Sequence, residues 1–415
     1  MTLMLPLAIA AALAVFAFAV WANEANHRRR HPPTGAPRID RGTEMWAQEV
    51  RRRLPEAFDA LQVTKAGYMQ QGKRPRPRFV GAGKPAPVGV GWQWTLALPG
   101  SSLATDWDAT RLVAAINDAS ELGTIAEMRA PVPGKAQLTI WRRDPLDMVQ
   151  PVPWRPGERP SCCRPGQVCM GPQRNGKHVH FDVYGDVGAY ASRFIGRRGS
   201  GKSEAMRLWL AQVLAWDHVD PVIVDLVRQG VDYGVFEPLL ATEIITDPAV
   251  AVAAIDAIRA EASARAKKFK AEGRKKQTAP TADMPLIPLV IDEVQSVTDI
   301  KAAALGLRKV LQETRPWMIT PCLATQYDVS ENLDRTTALQ ITNTWCGRMG
   351  DANASYNTFS RTDYPGRAPH ELSGPGASVC DTDHPELYEI RGWWATDQWH
   401  ADHVGLLAAR RERVG

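Results

Sequence analysis

Residues 190–203 read YASRFIGRRGSGKS, and this stretch decides the fold expected for the whole chain. An apolar strand over 190–195 runs into a loop that fits the pattern G-x-x-x-x-G-K-[ST], and a helical stretch over 204–215 follows. The loop residues are Gly196, Arg197, Arg198, Gly199, Ser200, Gly201, Lys202 and Ser203. In such a loop the backbone N–H groups face phosphate oxygens, the lysine reaches the β- and γ-phosphates, and the serine hydroxyl holds Mg²⁺. The pattern therefore predicts a phosphate-binding loop at a helix N-terminus, where anions are favoured.

An acidic pair follows a second apolar strand, in the sequence LVIDE over 289–293. Two carboxylates at the end of a buried strand need a cation or a reaction to offset their desolvation. Taken alone, the pair could cap a helix. Downstream of a phosphate loop, it predicts Asp292 as a Mg²⁺ ligand together with Ser203. Glu293 would then orient and deprotonate the attacking water.

A third apolar strand, over 318–324, ends in Thr325 and Gln326. An amide at this point can contact the γ-phosphate or the attacking water, although spacing alone favours an ordinary strand-end turn. Short strands separated by helical segments recur at 190–195, 221–224, 286–291 and 318–324. This alternation predicts an α/β fold, with a parallel sheet covered by helices on both faces.

The composition places the chain among globular proteins. Its 415 residues are 44% hydrophobic and 23% charged, which excludes disordered and collagen-like classes. The net charge of +5 is small for this length and does not by itself indicate nucleic-acid binding. Six cysteines are too few for a disulfide scaffold, so a reducing compartment is expected.

The amino-terminal segment predicts a membrane anchor. Residues 3–21 carry no charged side chain and would form a helix of about 28 Å, close to the roughly 30 Å of a bilayer core. Basic residues follow over 27–31, so we expect a single-pass protein with the N-terminus outside and the remainder in the cytoplasm. A secretory signal peptide is the alternative, although its positive charge normally precedes the apolar run.

Proline and glycine clusters divide the chain into five expected parts. They are a transmembrane anchor over 1–26, a basic linker over 27–43, a small α+β domain over 44–155, an ATPase motor over 156–405 and a tail over 406–415. Within the small domain, we expect helices over 44–61 and 105–119, a loop over 73–90, and strands over 90–98 and 136–141.

The succession 196–203, 289–293 and 323–326 resembles the FtsK/SpoIIIE DNA-pumping ATPases, including the Tra proteins of actinomycete conjugative elements. The resemblance extends over roughly 90–405. Residues 222–225 and the basic helix over 256–276 resemble the family's middle segment, and 341–348 with 372–376 resemble its closing strands. The motifs are specific as an ordered set and not one by one.

The resemblance implies a RecA-like motor that binds ATP and Mg²⁺, assembles as a homo-oligomeric ring (a hexamer in the family), and pulls double-stranded DNA through its channel. Active sites of such rings lie between subunits, and a neighbour's arginine completes each one. Arg315 occupies the matching place, with Arg308 as the second choice; a surface arginine before Pro316 is the ordinary alternative. The family also implies a catalytic contact for Gln326.

The chain departs from the family pattern at two places. Arg198 stands where threonine is usual, and Tyr327 and Asp328 replace the usual Arg-Pro. The stretch after the motor is too short for a winged-helix DNA reader, so a separate DNA-loading protein is expected as a partner. Three alternatives stay open: a chromosome-segregation motor, a type VII secretion or type IV coupling ATPase, and a non-hydrolysing membrane adaptor.

Two weaker signals complete the sequence. The basic side chains between Arg265 and Lys276 could track DNA phosphates, although a solvated helix face is the more common reason for such a run. Cys162, Cys163 and Cys169 with His178 and His180 fit none of the common two-pair zinc spacings, so metal binding is not the favoured interpretation.

Overall fold

The computed structural model describes residues 41–60, 77–86, 89–98, 125–132, 134–326 and 335–414. The chain divides into two compact units, Met1–Arg143 and Asp144–Gly415. The division therefore falls earlier than the boundary expected at 155. The reason is that Trp154 packs edge-on against Trp393 with ring centroids 6.0 Å apart, which ties this stretch to the second unit.

The first unit is a helix packed on an antiparallel sheet. Its helix α1 and four strands are α1 (Arg41–Ala60), β1 (Arg78–Pro85), β2 (Gly91–Ala97), β3 (Ile125–Val132) and β4 (Lys135–Trp141). The strand order is β1-β2-β4-β3. Val50 and Leu54 of α1 pack with Trp94, Leu96 and Leu138 of the sheet. The α+β character predicted for this part is thus present in its described residues.

The prediction of a loop over 73–90 is wrong for residues 78–85. Residues 78–85 form β1, which pairs with β2 through Arg78 opposite Ala97 and Lys84 opposite Gln93, with a register shift between Val80 and Lys84. Backbone pairing with a neighbouring strand overrides the unfavourable glycine and proline content here. The helix expected over 105–119 lies outside the described residues.

A seven-stranded sheet organises the described part of the second unit, in the order β11-β12-β13-β10-β14-β15-β16. The first five strands are parallel to one another, and β15 and β16 are antiparallel to their neighbours. These strands are β10 (Ala191–Ile195), β11 (Val222–Val224), β12 (Ile287–Ile291), β13 (Ile319–Thr325), β14 (Ile341–Cys346), β15 (Ala377–Asp381) and β16 (Tyr388–Arg391).

Helices lie between the strands of the large sheet and after them, and of the six short strands five precede the sheet and one follows it. The helices are α2 (Lys202–Leu214), α3 (Pro248–Glu272), α4 (Val294–Thr298), α5 (Lys301–Glu313), α6 (Arg335–Ala338), α7 (Ala352–Phe359) and α8 (Asp397–Val414). The short strands are β5 (Gln150–Pro151), β6 (Gln167–Pro172), β7 (His178–Asp182), β8 (Tyr184–Gly185), β9 (Gly188–Ala189) and β17 (Trp393–Trp394).

Apolar side chains fill both faces of the large sheet. In β12, Val290 joins the core that contains Trp209 of α2, whereas Leu289 joins the core that contains Leu307 of α5. Strands buried on both faces are typical of parallel sheets covered by helices. The predicted α/β arrangement is confirmed.

Two expected boundaries differ at the carboxyl side. Residues 372–376, expected as part of the closing strands, precede β15, which begins at Ala377. The tail expected over 406–415 instead continues α8 to Val414. Leu407 is buried in the core that covers one face of the sheet, and this apolar contact keeps the helix in place.

The prediction of a cell-membrane protein with one spanning helix is corrected. Among the described residues, no helix combines the length and the apolarity needed to cross a bilayer. The longest of them, α3, has 25 residues but carries charged side chains along its second half. Residues 1–26, on which the anchor prediction rested, lie outside the described residues.

Candidate active site

The phosphate loop is held at the carboxyl edge of the parallel sheet. The Gly196 N–H donates to the Thr325 carbonyl oxygen at the end of β13 (3.2 Å), and the Arg197 N–H donates to the Arg348 carbonyl oxygen after β14 (3.0 Å). The Arg197 and Arg198 side chains are exposed. The loop is therefore fixed by its backbone, which leaves these two side chains out of the packing.

Gly201 is required by a close approach of two loops. Its φ is +93°, and a Cβ there would lie only 2.7 Å from the Gly376 nitrogen. The Gly376 N–H donates to the Ser200 carbonyl oxygen (2.8 Å). The sequence associated residues 372–376 with a family motif. In the structure, this segment packs against the phosphate loop through Gly376.

Lys202 and Glu293 meet at this edge of the sheet. Lys202 opens α2 and is buried, and its Nζ lies 3.4 Å from Glu293 Oε2. Glu293 follows β12 with a φ of +53°, a conformation uncommon outside glycine. Strained backbone of this kind clusters at functional sites.

Gln326 completes a group of three. Its Nε2 donates to Glu293 Oε2 (2.9 Å), and its backbone N–H donates to Glu293 Oε1 (3.3 Å). The contact follows from the strand order, because β13 lies between β10 and β12 and all three carboxyl ends meet at one edge. Gln326 therefore lies in direct contact with Glu293, at the same edge of the sheet as Lys202. Tyr327 and Asp328, which follow it, lie outside the described residues.

Asp292 is a buried carboxylate beside this group, only 5% exposed. Burial raises the pKa of Asp292 to about 6, with Asp225, Asp232 and Glu293 adding to the effect and Lys202 opposing it. One of its oxygens accepts the Glu293 N–H (3.0 Å). A buried carboxylate in an acidic surrounding can hold a cation, and Ser203 lies in the first turn of α2, at the same edge.

Sequence reasoning missed Asp225 and Tyr233 as neighbours of Asp292. Asp225 follows β11, is fully buried, and accepts the backbone N–H groups of Arg228 (2.8 Å) and Gly230 (2.9 Å). Burial, with Asp292 nearby, raises the pKa of the Tyr233 hydroxyl well above its usual range. The available signal was the match between VIVD over 222–225 and LVID over 289–292, two apolar strands that each end in aspartate.

Arg315 lies away from this group within one chain. It precedes β13, at the amino end of the strand whose carboxyl end carries Gln326, and its guanidinium lies 4.7 Å from the centre of the Tyr190 ring. Seven strand residues span roughly 20 Å. Arg315 is exposed there and could serve only the site of another copy. Arg308, the second choice, is a partly exposed residue of α5.

Comparison with solved structures gives the fold a context. The pCW3 conjugation coupling protein TcpA, solved as a monomer with ATPγS, is similar with a TM-score of 0.56 and 17% identity, over 87% of this chain and 99% of TcpA. The two chains share a fold. The resemblance to FtsK/SpoIIIE-type ATPases is thereby confirmed at the level of the fold.

A second similar structure contains two ATPase units. ATPases 2 and 3 of EssC from Geobacillus thermodenitrificans give a TM-score of 0.51 and 14% identity, over 64% of this chain and 52% of that one. This chain therefore spans about half of the solved EssC chain. For the chain described here, no protein-family model and no curated protein sequence matches.

Proposed function

We propose that this chain is a P-loop ATPase that moves double-stranded DNA during conjugative transfer, working as a homo-oligomeric ring. The observation that carries the ATPase part is the convergence of Lys202, Glu293 and Gln326 beside the phosphate loop. The DNA and conjugation parts rest on the motif resemblance and on the fold shared with TcpA.

Each residue of the group has a distinct task in hydrolysis. Backbone N–H groups of the phosphate loop and Lys202 would bind the β- and γ-phosphates. Asp292 and Ser203 would hold Mg²⁺, which when bound neutralises charge on the phosphate oxygens. A triphosphate would compete with Glu293 for Lys202 and so leave the Glu293 carboxylate able to accept a proton from water.

Gln326 connects the carboxyl end of β13 to Glu293, the residue that would deprotonate water. Because it donates two hydrogen bonds to Glu293, it fixes the direction of the carboxylate that would deprotonate water. Glu293 is present and accepts two hydrogen bonds from Gln326, which argues against a non-hydrolysing adaptor.

The basic run at the end of α3 supports DNA binding only in part. Arg265 is buried and bonds the Pro285 and Trp317 carbonyl oxygens (both 2.8 Å), so it stabilises the fold. Lys268 pairs with Asp283. Lys276 Nζ donates to the Asp186 carbonyl oxygen. The exposed lysines that could contact phosphates are Lys267, Lys270 and Lys275.

Replacing Lys202 tests the proposal directly. Lys202→Ala should reduce DNA-stimulated phosphate release to background, because the triphosphate loses its main cationic contact. Lys309→Ala, which removes an exposed lysine of α5, serves as the matched control and should keep wild-type activity. Wild-type turnover by Lys202→Ala would show that this site does not hydrolyse ATP.

The kind of molecule that is moved can be identified from which molecule increases the ATPase rate most. EssC shares the fold, so a secretion role predicts stimulation by a peptide, and a type IV coupling role predicts stimulation by single-stranded DNA. We expect duplex DNA to give the largest increase in ATPase rate. A larger increase with single strands or peptide would contradict the duplex cargo while leaving the ATPase site intact.

A further inference from the structure

Two cysteines and two histidines that precede the phosphate loop in the sequence converge on one point. The thiol sulfurs of Cys162 and Cys169 and one ring nitrogen each of His178 and His180 all lie within 4.8 Å of one another. Cys163, next in the chain, is outside this set.

The hairpin of β6 and β7 explains the convergence. Cys169 of β6 lies directly opposite His180 of β7, and a register shift follows between Cys169 and Gly171. His178 and His180 are two residues apart on one strand, so they share a face. Residues 161–166 bring Cys162 back over that face. Linear zinc spacings do not describe this arrangement, because cross-strand register and a bulge create it.

We propose that Cys162, Cys169, His178 and His180 form a zinc site. Bonds of about 2.0 to 2.3 Å around a tetrahedral zinc place ligand atoms roughly 3.3 to 3.8 Å apart. From separations of at most 4.8 Å, the four atoms need to close by no more than about 1 to 1.5 Å to reach that geometry. Two thiolates with two imidazoles in a tetrahedral set favour zinc among the common divalent metals.

An independent observation points to a bound ion. The His180 Nε2 is buried and finds no hydrogen-bond partner among the described residues. A buried polar atom without a partner is costly, and coordination of a cation would satisfy it.

Contacts beyond the four ligands give the site a structural role. The Cys169 sulfur accepts the Trp393 indole N–H (3.2 Å). The Cys169 backbone N–H and carbonyl bond the side chain of Gln212, near the end of α2 (2.8 and 3.1 Å). Partners of this kind orient metal ligands. Zinc would therefore fasten the hairpin to the helix that begins at the phosphate loop.

Metal analysis of the full chain tests this proposal without any assay of activity. We expect one zinc per chain by mass spectrometry of the purified protein. Cobalt replacement should give the thiolate charge-transfer and tetrahedral absorption bands. Removal of zinc with a chelator should lower the thermal midpoint and expose two further thiols to alkylation. Wild-type protein that holds no zinc and gives no such cobalt spectrum would overturn the proposal.

Substitutions separate the ligands from their neighbour. Cys162→Ser and His178→Asn should reduce zinc content at least tenfold, whereas Cys163→Ser, the matched control, should retain it. Cys162 is exposed, so its replacement removes a ligand without opening the core. Full zinc content in Cys162→Ser, or its loss in Cys163→Ser alone, would show that this ligand set is wrong.

Discussion

Asp292 is a carboxylate whose burial works against its own ionisation. Its pKa of about 6 lies above the usual value of about 3.9. The folded chain therefore prefers the protonated form. The protonated Asp292 carboxyl therefore adds to the free energy of unfolding. This contribution is fully present below about pH 4 and is lost as the pH rises through about 6.

Asp292→Asn should consequently stabilise the metal-free chain at pH 8, by up to about 3 kcal/mol, since two pKa units correspond to about 2.7 kcal/mol. The difference from wild type should shrink as the pH falls towards 4.5. Urea unfolding with a metal chelator, measured across this range, checks the effect. Asp383→Asn, at an exposed aspartate, should show no comparable trend. A constant difference between Asp292→Asn and wild type at every pH would contradict the assignment.

Individual residues of the active site were predictable to different degrees. Lys202 and Glu293 follow from motifs in which spacing, strand and helix agree, and the structure brings them together. The contact between Gln326 and Glu293 depends on which strand lies between β10 and β12, and no local pattern contains that order. Asp225 was missed for the same reason, since its nearness to Asp292 comes from the pairing of β11 with β12.

At the scale of elements, a buried ion network fastens the turn between β6 and β7. Arg174 bonds Asp144 at 2.8 Å, and it also bonds Glu389 of β16. Arg367 bonds the same Glu389 carboxylate (2.8 Å). Arg174, Asp144 and Glu389 are all less than 10% exposed.

Arg174→Met should lower the free energy of unfolding by about 3 to 5 kcal/mol, because it leaves two carboxylates buried without their main partner. The matched control is Arg410→Met, which breaks an exposed pair with Asp217 and should cost less than about 1 kcal/mol. Chemical unfolding of the two variants compares these costs. Equal losses would mean that burial of the network does not matter.

Some elements could be predicted from the local sequence, whereas others depend on pairing with a strand elsewhere in the chain. The parallel strands around the phosphate loop are short apolar runs separated by helical stretches, and they were predicted from that alternation. β1 was not, because its glycines and proline indicate a loop until β2 supplies a partner. The sequence named the Cys/His group but did not favour metal binding for a related reason, since Cys169 and His180 become neighbours only through the register of β6 and β7.

At the scale of the whole molecule, the place of Arg315 indicates how copies would cooperate. Arg315 and Gln326 lie at opposite ends of β13. An arginine at the opposite edge of the sheet cannot reach the phosphates of its own chain, but a neighbour in a ring could present it.

Arg315→Ala should therefore abolish ATPase activity by itself, and mixing it with inactive Lys202→Ala should restore part of the rate. Mixed interfaces would combine an intact phosphate loop with an intact arginine. Phosphate release from mixtures at several ratios measures this recovery. Arg308→Ala is the comparison variant and should stay active alone. Mixtures that stay inactive at every ratio would exclude Arg315 as the shared residue.

The position of β13 has a mechanical consequence. The strand is hydrogen-bonded on both sides, by β12 and by β10, so its backbone is restrained along its length. One end touches the glutamate that would sense the leaving phosphate, and the other begins just after the arginine offered to the next copy. A displacement of the backbone at Gln326 would therefore be passed along β13 towards Arg315. In the proposed ring, β13 would connect the active site of one copy to the arginine that this copy presents to the next.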